Sequence, residues 1–262
     1  MTRGRQSMRK LFWIGALSLG AWTEGALANC RQALAIGMDV SGSVNAVEYS
    51  LQVNGLALAL LDEEVQRALF AMPGIPVRLF VYEWAGLEHR RILLDWTDIT
   101  SPEALQKVAE HIASTKSRPG DIATALGLSM QFGVRHLADQ TECWTRTLDI
   151  SGDGKSNAGP RPRDVRPSLT SSDVTINALV VGADAAQATD RRNVQIAELA
   201  SYFQSEVIQG PNAFVETALG YEDYRAAMTR KLLRELKVFA IGQGQPIHRS
   251  TDGAAQTATK RR

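Results

Sequence analysis

The sequence is poor in the side chains that transition-metal and redox sites use, because its 262 residues include only two cysteines and four histidines. No imidazole or thiolate is expected beside the oxygen-rich site described below, which disfavours zinc, copper or iron there. None of the histidines lies in a motif that would make it the base of a seryl hydrolase. The apolar runs are shorter than the roughly 20 residues that span a membrane as a helix. We therefore expect no transmembrane segment.

The first 28 residues have the pattern of a secretory signal peptide. Basic residues come first, an apolar run follows over residues 11–22, and Ala26-Leu27-Ala28 matches a cleavage site. Cleavage after Ala28 would remove four basic residues and one acidic residue, which changes the formal net charge from +1 to −2 and gives no sign of a nucleic-acid partner. We predict export to the periplasm or the extracellular space. Lipid attachment at Cys30 is an alternative, although the residue before it is not the small residue of a lipobox.

The remaining chain is predicted to form one domain over residues 29–241 and a disordered tail over residues 242–262. The tail is rich in Gly, Gln and Thr and lacks apolar periodicity. The length before it is sufficient for one α/β domain with a sizeable core.

Predicted strands and helices alternate along this domain. The strands fall at 33–38, 77–82, 90–94, 146–150, 174–181 and 213–217, and the helices near 46–60, 62–70, 101–114, 124–137, 161–171, 193–202 and 222–236. The link between 77–82 and 90–94 is too short for a parallel crossover, so these strands should form an antiparallel hairpin. The order predicts a doubly wound, mostly parallel six-stranded sheet with one antiparallel edge strand and helices on both faces.

The two cysteines have similar positions relative to predicted strands. Cys30 and Cys143 each come just before a strand, and each strand is followed by an aspartate, Asp39 or Asp153. If the two strands are parallel neighbours, the cysteines meet at one end of the sheet and the aspartates at the other. An even number of cysteines in an exported protein favours a Cys30–Cys143 disulfide. The alternative is two unrelated buried thiols.

Oxygen-bearing side chains gather where strands end. Asp39, Ser41 and Ser43 alternate just past the first strand, Thr124 opens a predicted helix, and Asp153 follows the fourth strand. In sheets of this kind, sites form outside the carboxyl ends of the strands. Two carboxylates and three hydroxyls suit a hard divalent cation such as Mg²⁺, Mn²⁺ or Ca²⁺ and leave the site near zero net charge, so it can still attract an anion. The alternative is a capped strand-to-helix turn.

These motifs resemble the metal-ion-dependent adhesion site of von Willebrand factor type A domains. The similarity lies in Asp39-Val-Ser41-Gly-Ser43, the Thr124 loop and Ser151-Gly-Asp153-Gly, and in the order of elements over residues 31–238. Glu83-Trp84 and the paired cysteines further resemble a family of secreted bacterial proteins with type A domains and no assigned function.

The resemblance implies a role for each of the five residues. The hydroxyls of Ser41, Ser43 and Thr124 would face Mg²⁺, and Asp39 and Asp153 would bind it directly or through water. An Asp or Glu carboxylate of a protein partner would complete the shell. The expected function is therefore non-catalytic, metal-dependent binding of a protein.

Three further residues are candidates for contact with that partner. Trp84 ends the second strand at the same end of the sheet, where an exposed aromatic could anchor a partner; the alternative is a packed core tryptophan. Lys155 and Asn157 follow Asp153 and either shape specificity or are simply solvated.

Two other functions remain open. In a phosphohydrolase of haloacid dehalogenase type, Asp39 would be the nucleophile, Asp153 would hold Mg²⁺ and Lys155 would bind the phosphate. That chemistry generally needs a second carboxylate two positions after the first, where this chain has Ser41. The third possibility is a type A scaffold that does not use metal.

Overall fold

The computed structural model describes residues 30–118, 121–182 and 189–241, so the predicted signal peptide and tail lie outside the described residues. The strands are β1 Cys30–Asp39, β2 Val77–Trp84, β3 Arg90–Ile99, β4 Cys143–Gly152, β5 Thr175–Val181 and β6 Val215–Ala218. The helices are α1 Ala46–Leu60, α2 Glu63–Leu69, α3 Pro102–Ala113, α4 Leu126–Ala138, α5 Pro162–Leu169, α6 Thr189–Glu206 and α7 Tyr224–Ile241, and short 3₁₀ turns cover Thr170–Ser172 and Tyr221–Asp223.

The strands form a single sheet in the order β3-β2-β1-β4-β5-β6. All neighbours are parallel except β2 and β3, which pair antiparallel. This confirms the predicted doubly wound sheet with one antiparallel edge strand. Strand β1 pairs with β2 on one side and with β4, which comes later in the chain, on the other. Strand order therefore reverses between β1 and β4, and ligands bind at such a reversal point in doubly wound folds.

Strand β1 is buried on both faces because alternate residues enter two separate cores. Leu34, Ile36 and Met38 pack in one core with residues of α1, α2, α3 and α7. Ala33 and Ala35 enter the other core, which residues of α4, α5 and α6 complete. This arrangement explains the near-continuous apolar sequence of the strand.

Helix α1 begins immediately behind the Asp39-to-Ser43 segment. The side-chain oxygen of Asn45 accepts hydrogen bonds from the backbone N–H groups of Val47 and Glu48 at 2.8 and 3.1 Å. Glu48 Oε2 accepts in return from the Asn45 N–H at 2.8 Å, which completes the capping box. The helix start is therefore fixed, and it limits the path of the short loop that carries Ser41 and Ser43.

The predicted disulfide is confirmed at the amino ends of β1 and β4. Cys30 and Cys143 are direct register partners, with their Cα atoms 4.6 Å apart, and they are bonded. The bond uses the Cys30 sulfur, which lipid attachment would require, so the lipidation alternative does not fit this structure. No helix within the described ranges is both long and apolar enough to cross a membrane.

Helix α7 is joined to the sheet by a buried ionic cluster. Lys231 Nζ lies 2.8 Å from Asp149 Oδ1 on β4 and 2.6 Å from Glu235 Oε1 one turn along α7. Asn177 on β5 donates from Nδ2 to the same Glu235 oxygen at 2.7 Å. The cluster is closed to solvent, so each of its charges depends on the others.

Candidate metal site

The five predicted residues meet at the carboxyl ends of β1 and β4. Asp39 is the last residue of β1, and Asp153 directly follows β4. These strands are parallel neighbours, with Gly37 opposite Ile150, so their ends reach the same point of the sheet.

A chain of hydrogen bonds joins the three hydroxyls to one of the carboxylates. Ser43 Oγ donates to Asp153 Oδ1 at 2.7 Å, and the Oγ atoms of Ser41 and Ser43 lie 3.4 Å apart. Thr124 Oγ1 donates to Ser41 Oγ at 3.2 Å. Asp39 enters the cluster by accepting the backbone N–H of Ser41 at Oδ1, at 2.8 Å. The structure therefore brings all five side chains together.

The electrostatics of the cluster favour a positive charge. Asp39 is fully buried, and this burial, followed by the negative charge of Asp153, raises the pKa of Asp39 to about 8. Burial also raises the pKa of Asp153. Among the described residues, Asp39 Oδ2 has no hydrogen-bond partner. A buried carboxylate oxygen without a partner is costly, and a bound cation would remove that cost and the repulsion between the two acids. The donor set therefore fits a hard divalent cation.

Thr124 is positioned by a long-range contact and, contrary to the prediction, does not begin a helix. Its backbone N–H donates to Asn157 Oδ1 at 2.8 Å, and its carbonyl oxygen accepts from the Asn157 N–H at 3.0 Å. Helix α4 begins at Leu126, with Ala125 at its N-cap and no side-chain cap hydrogen bond. The expectation that Thr124 opens the helix was wrong, yet its hydroxyl still reaches the cluster.

The three candidate partner contacts have different surroundings. Trp84 is 0% exposed and lies in the core beneath α4, which corrects the suggestion that it is exposed to a partner and agrees with the alternative of a packed tryptophan. Asn157 is exposed, but its side-chain oxygen holds Thr124 in place. Lys155 is exposed, and its contact with a partner remains a prediction.

Glu83, which precedes Trp84, is not part of the cluster but binds residues of the elements around it. It is fully buried, and its carboxylate accepts a hydrogen bond from Tyr49 OH at 2.9 Å. Arg91 donates to it at 2.8 Å, and His89 Nε2 lies 3.0 Å away. These contacts tie the β2–β3 hairpin to α1.

Tyr221 is a residue of the site that sequence reasoning missed. Its phenol donates to Asp153 Oδ2 at 3.3 Å from the 3₁₀ turn between β6 and α7. Ser43 and Tyr221 therefore occupy one oxygen each of the same carboxylate. The only signal in the sequence was its position shortly after a predicted strand, since Tyr221 belongs to no recognisable motif.

The site differs in composition from the usual cluster of acidic, imidazole and thiolate ligands. Within residues 30–118, 121–182 and 189–241, no group of three or more His, Cys, Asp and Glu residues is placed to hold a metal. The five-residue cluster offers two carboxylates and three hydroxyls.

Solved structures with similar folds include type A domains and adhesins. Proximal thread matrix protein 1 (PTMP1) from the mussel byssus has a TM-score of 0.54 and 16% identity, covering 80% of this chain and 49% of that chain. The von Willebrand factor type A protein from Catenulispora acidiphila has a TM-score of 0.51 and 14% identity, covering 79% and 43%. For the pilus adhesin SpaC from Lactobacillus rhamnosus GG the values are 0.53 and 11%, covering 80% and 31%.

The chain thus spans about half or less of the length of these solved chains, and identities this low show the fold alone. A further PTMP1 structure, with a TM-score of 0.52 and 16% identity over 80% of this chain and 48% of that chain, is described as having a zinc-occupied MIDAS motif.

No curated protein matches the sequence. The sequence model of one family, described as "Protein of unknown function (DUF1194)", matches residues 29–240. The chain therefore belongs to this uncharacterised family and has a von Willebrand factor type A fold.

Proposed function

We propose that this protein is a non-catalytic binding module, which uses Mg²⁺ or another hard divalent cation to capture an acidic side chain of a protein partner. The observation that carries the proposal is Asp39 Oδ2, a buried carboxylate oxygen without a hydrogen-bond partner among the described residues. It belongs to a cluster whose other members are one carboxylate and three hydroxyls. Such a donor set is suited to a cation that prefers oxygen ligands.

Each of the five residues has a part in this proposal. The hydroxyls of Ser41, Ser43 and Thr124 would bind the cation, and Asp39 and Asp153 would do so directly or through water. When bound, the cation supplies a positive charge that offsets the two carboxylates and still attracts a third. The chain itself supplies neutral hydroxyls in place of further acids, so the charge of the cation is left available to the partner.

The choice of metal follows from the ligands. Oxygen donors without imidazole or thiolate favour Mg²⁺, Mn²⁺ or Ca²⁺ over softer metals. Because PTMP1 has been described with zinc in its motif, Zn²⁺ belongs in the same comparison.

The first test is the effect of Mg²⁺ on the melting temperature. Millimolar Mg²⁺ should raise the melting temperature of the wild type, because a ligand that binds only the folded state stabilises it. The Asp39→Ala variant should not respond. Asp95→Ala, at an exposed aspartate of the edge strand β3, is the matched control and should respond like the wild type. Equal shifts of the melting temperature in the wild type and in Asp39→Ala would contradict the proposed metal site.

Two outcomes would favour the other functions. Steady hydrolysis of phosphate esters that is lost in Asp39→Ala would favour the phosphohydrolase. Capture of a partner from an envelope extract that is unchanged by a chelator, together with no response to Mg²⁺, would favour a scaffold that does not use metal. The disulfide is consistent with the predicted export of the protein to an oxidising compartment, where such a partner would be met.

A further inference from the structure

The large apolar side chains that the structure leaves exposed are unevenly distributed. Eight are exposed among the described residues, and four of these lie around the metal site: Ile122 at 82%, Val47 at 69%, Leu87 at 50% and Leu219 at 50%. All four occupy loops or a first helical turn at the carboxyl end of the parallel strands. We call these four residues the apolar rim.

Backbone contacts bring two members of the apolar rim close to the cluster. The carbonyl oxygen of Ile122 accepts the N–H of Gly42 at 3.2 Å, which places Ile122 beside the residue between Ser41 and Ser43. The Leu87 N–H donates to Asp121 Oδ2 at 3.3 Å, so Leu87 adjoins the segment that carries Ile122.

The other two members lie on different sides of the cluster. Val47 is in the first turn of α1, four residues after Ser43. Leu219 follows β6 directly and lies two residues before Tyr221, whose phenol contacts Asp153. The apolar rim therefore consists of residues from four separate parts of the chain, all at the end of the sheet that carries the five oxygen-bearing side chains.

Exposed apolar residues that surround a site are characteristic of an interaction surface. Isolated exposed apolar residues are normal on a protein, whereas exposed apolar residues concentrated in one region mark interaction sites. The proposed cation at the centre would attract an anionic group. Apolar groups beside that anion would be removed from water by the rim, and this burial would strengthen binding.

We infer that the apolar rim is a docking surface for a polypeptide segment in which an Asp or Glu is flanked by aliphatic residues. This inference rests on the proposed function, because the acidic side chain is the group that the cation captures. The apolar rim would then favour those acidic segments that carry aliphatic residues next to the Asp or Glu. Leu87 and Ile122 on one side and Leu219 on the other would contact the residues before and after it.

The test compares two capped peptides in the presence of Mg²⁺. One is acetyl-Ser-Leu-Glu-Leu-Ser-amide, and the other has serines in place of both leucines. Affinities are measured by NMR titration of the labelled full-length mature protein. The leucine peptide should bind about tenfold more tightly than the serine peptide, since burying even part of two leucine side chains is worth at least that ratio.

Two double variants show whether the rim causes this preference. In Leu87→Ser/Ile122→Ser the preference should fall to about twofold or less. Leu58→Ser/Trp144→Ser is the matched control, because both residues are exposed but lie toward the amino ends of the strands, away from the site. This control should keep the wild-type preference.

The outcomes separate this inference from the proposed function. If Mg²⁺ raises the melting temperature of the wild type but the two peptides bind equally, or neither binds, the docking inference is overturned and the metal site stands. A preference that survives in Leu87→Ser/Ile122→Ser would also overturn it. If Mg²⁺ leaves the wild-type melting temperature unchanged, the proposed function itself fails. The rim variant should retain the Mg²⁺ response, because it alters none of the five cluster residues.

Discussion

The phenol of Tyr221 donates a hydrogen bond to Asp153 Oδ2, while Ser43 donates to Oδ1 of the same carboxylate. Oδ1 therefore faces the hydroxyl cluster and Oδ2 faces the turn that leads into α7. A carboxylate held in this way cannot rotate freely, and its orientation toward a cation is set by the protein. Tyr221 is thus a positioning residue of the candidate metal site.

The Tyr221→Phe variant should bind Mg²⁺ about 10- to 100-fold more weakly than the wild type, since the loss of a group that orients a metal ligand typically has an effect of this size. Isothermal titration calorimetry measures the affinity directly. Tyr224→Phe is the matched control, because it removes a buried phenol three residues away that is not hydrogen-bonded to any of the five cluster residues. Equal Mg²⁺ affinities in the two variants would show that the phenol of Tyr221 does not orient Asp153.

The disulfide should contribute stability without affecting metal binding. The Cys30→Ser/Cys143→Ser variant opens a loop with a sequence separation of 113 residues. In the chain-entropy model its free energy of unfolding should fall by about 4 to 5 kcal/mol. Urea denaturation with and without reductant measures the change. The Mg²⁺ affinity of the folded variant should match that of the wild type, because the cysteines lie at the opposite end of β1 and β4 from Asp39. A large loss of affinity would contradict this separation.

The ionic cluster beneath α7 predicts a severe effect of one substitution. In Lys231→Met the carboxylates of Asp149 and Glu235 lose their buried cation, so the free energy of unfolding should fall by about 3 to 5 kcal/mol. Chemical denaturation near neutral pH measures it. Lys107→Met, at an exposed position of α3, should change stability by less than about 0.5 kcal/mol. Similar values for the two variants would show that Lys231 does not stabilise the packing of α7.

The same cluster predicts a pH dependence of stability. Burial, with a further contribution from Glu235, raises the pKa of Asp149 to about 7, although the charge of Lys231 acts in the opposite direction. The phenols of Tyr82 and Tyr224 also interact with Asp149, but burial raises the pKa of each, so they stay protonated. Because the folded-state pKa of Asp149 exceeds its unfolded value of about 3.9, the folded state holds the proton more tightly. This contribution is complete below about pH 4 and is lost as the pH rises through about 7.

The free energy of unfolding of the wild type should therefore decline more steeply between pH 5 and pH 7 than that of Asp149→Asn, by up to about 1.4 kcal/mol per pH unit. Asp39, whose pKa is also raised, is present in both proteins, so its effect cancels in the difference. Urea denaturation at several pH values measures the two slopes. Parallel slopes would mean that Asp149 is ionised in the folded protein across this range.

The fold could be predicted because its local patterns agree with its long-range structure. The alternation of apolar strands and amphipathic helices, and the short link between β2 and β3, restrict the chain to a mostly parallel sheet with one antiparallel edge. The residues 95–99 of β3 were missed because polar and apolar residues mix on an exposed edge strand, where Arg78 on β2 pairs with Asp98.

The five residues of the cluster could be predicted from their motifs and order, whereas the contacts that position them could not. Asp39, Ser41, Ser43 and Asp153 belong to strand-end motifs, and the structure brings them together. Thr124 is held near them by a contact with a residue 33 positions away, which no local pattern reveals, and it does not begin the helix as predicted. The burial of Trp84 and the contact of Tyr221 likewise depend on how distant elements pack.

The most direct test is a crystal structure of the protein grown with Mn²⁺, recorded at a wavelength where manganese scatters anomalously. We expect an anomalous difference peak among the side chains of Asp39, Ser41, Ser43, Thr124 and Asp153, and no peak there in Asp39→Ala crystals grown in the same solution. An empty cluster in the wild type at saturating Mn²⁺ would contradict the proposed metal site.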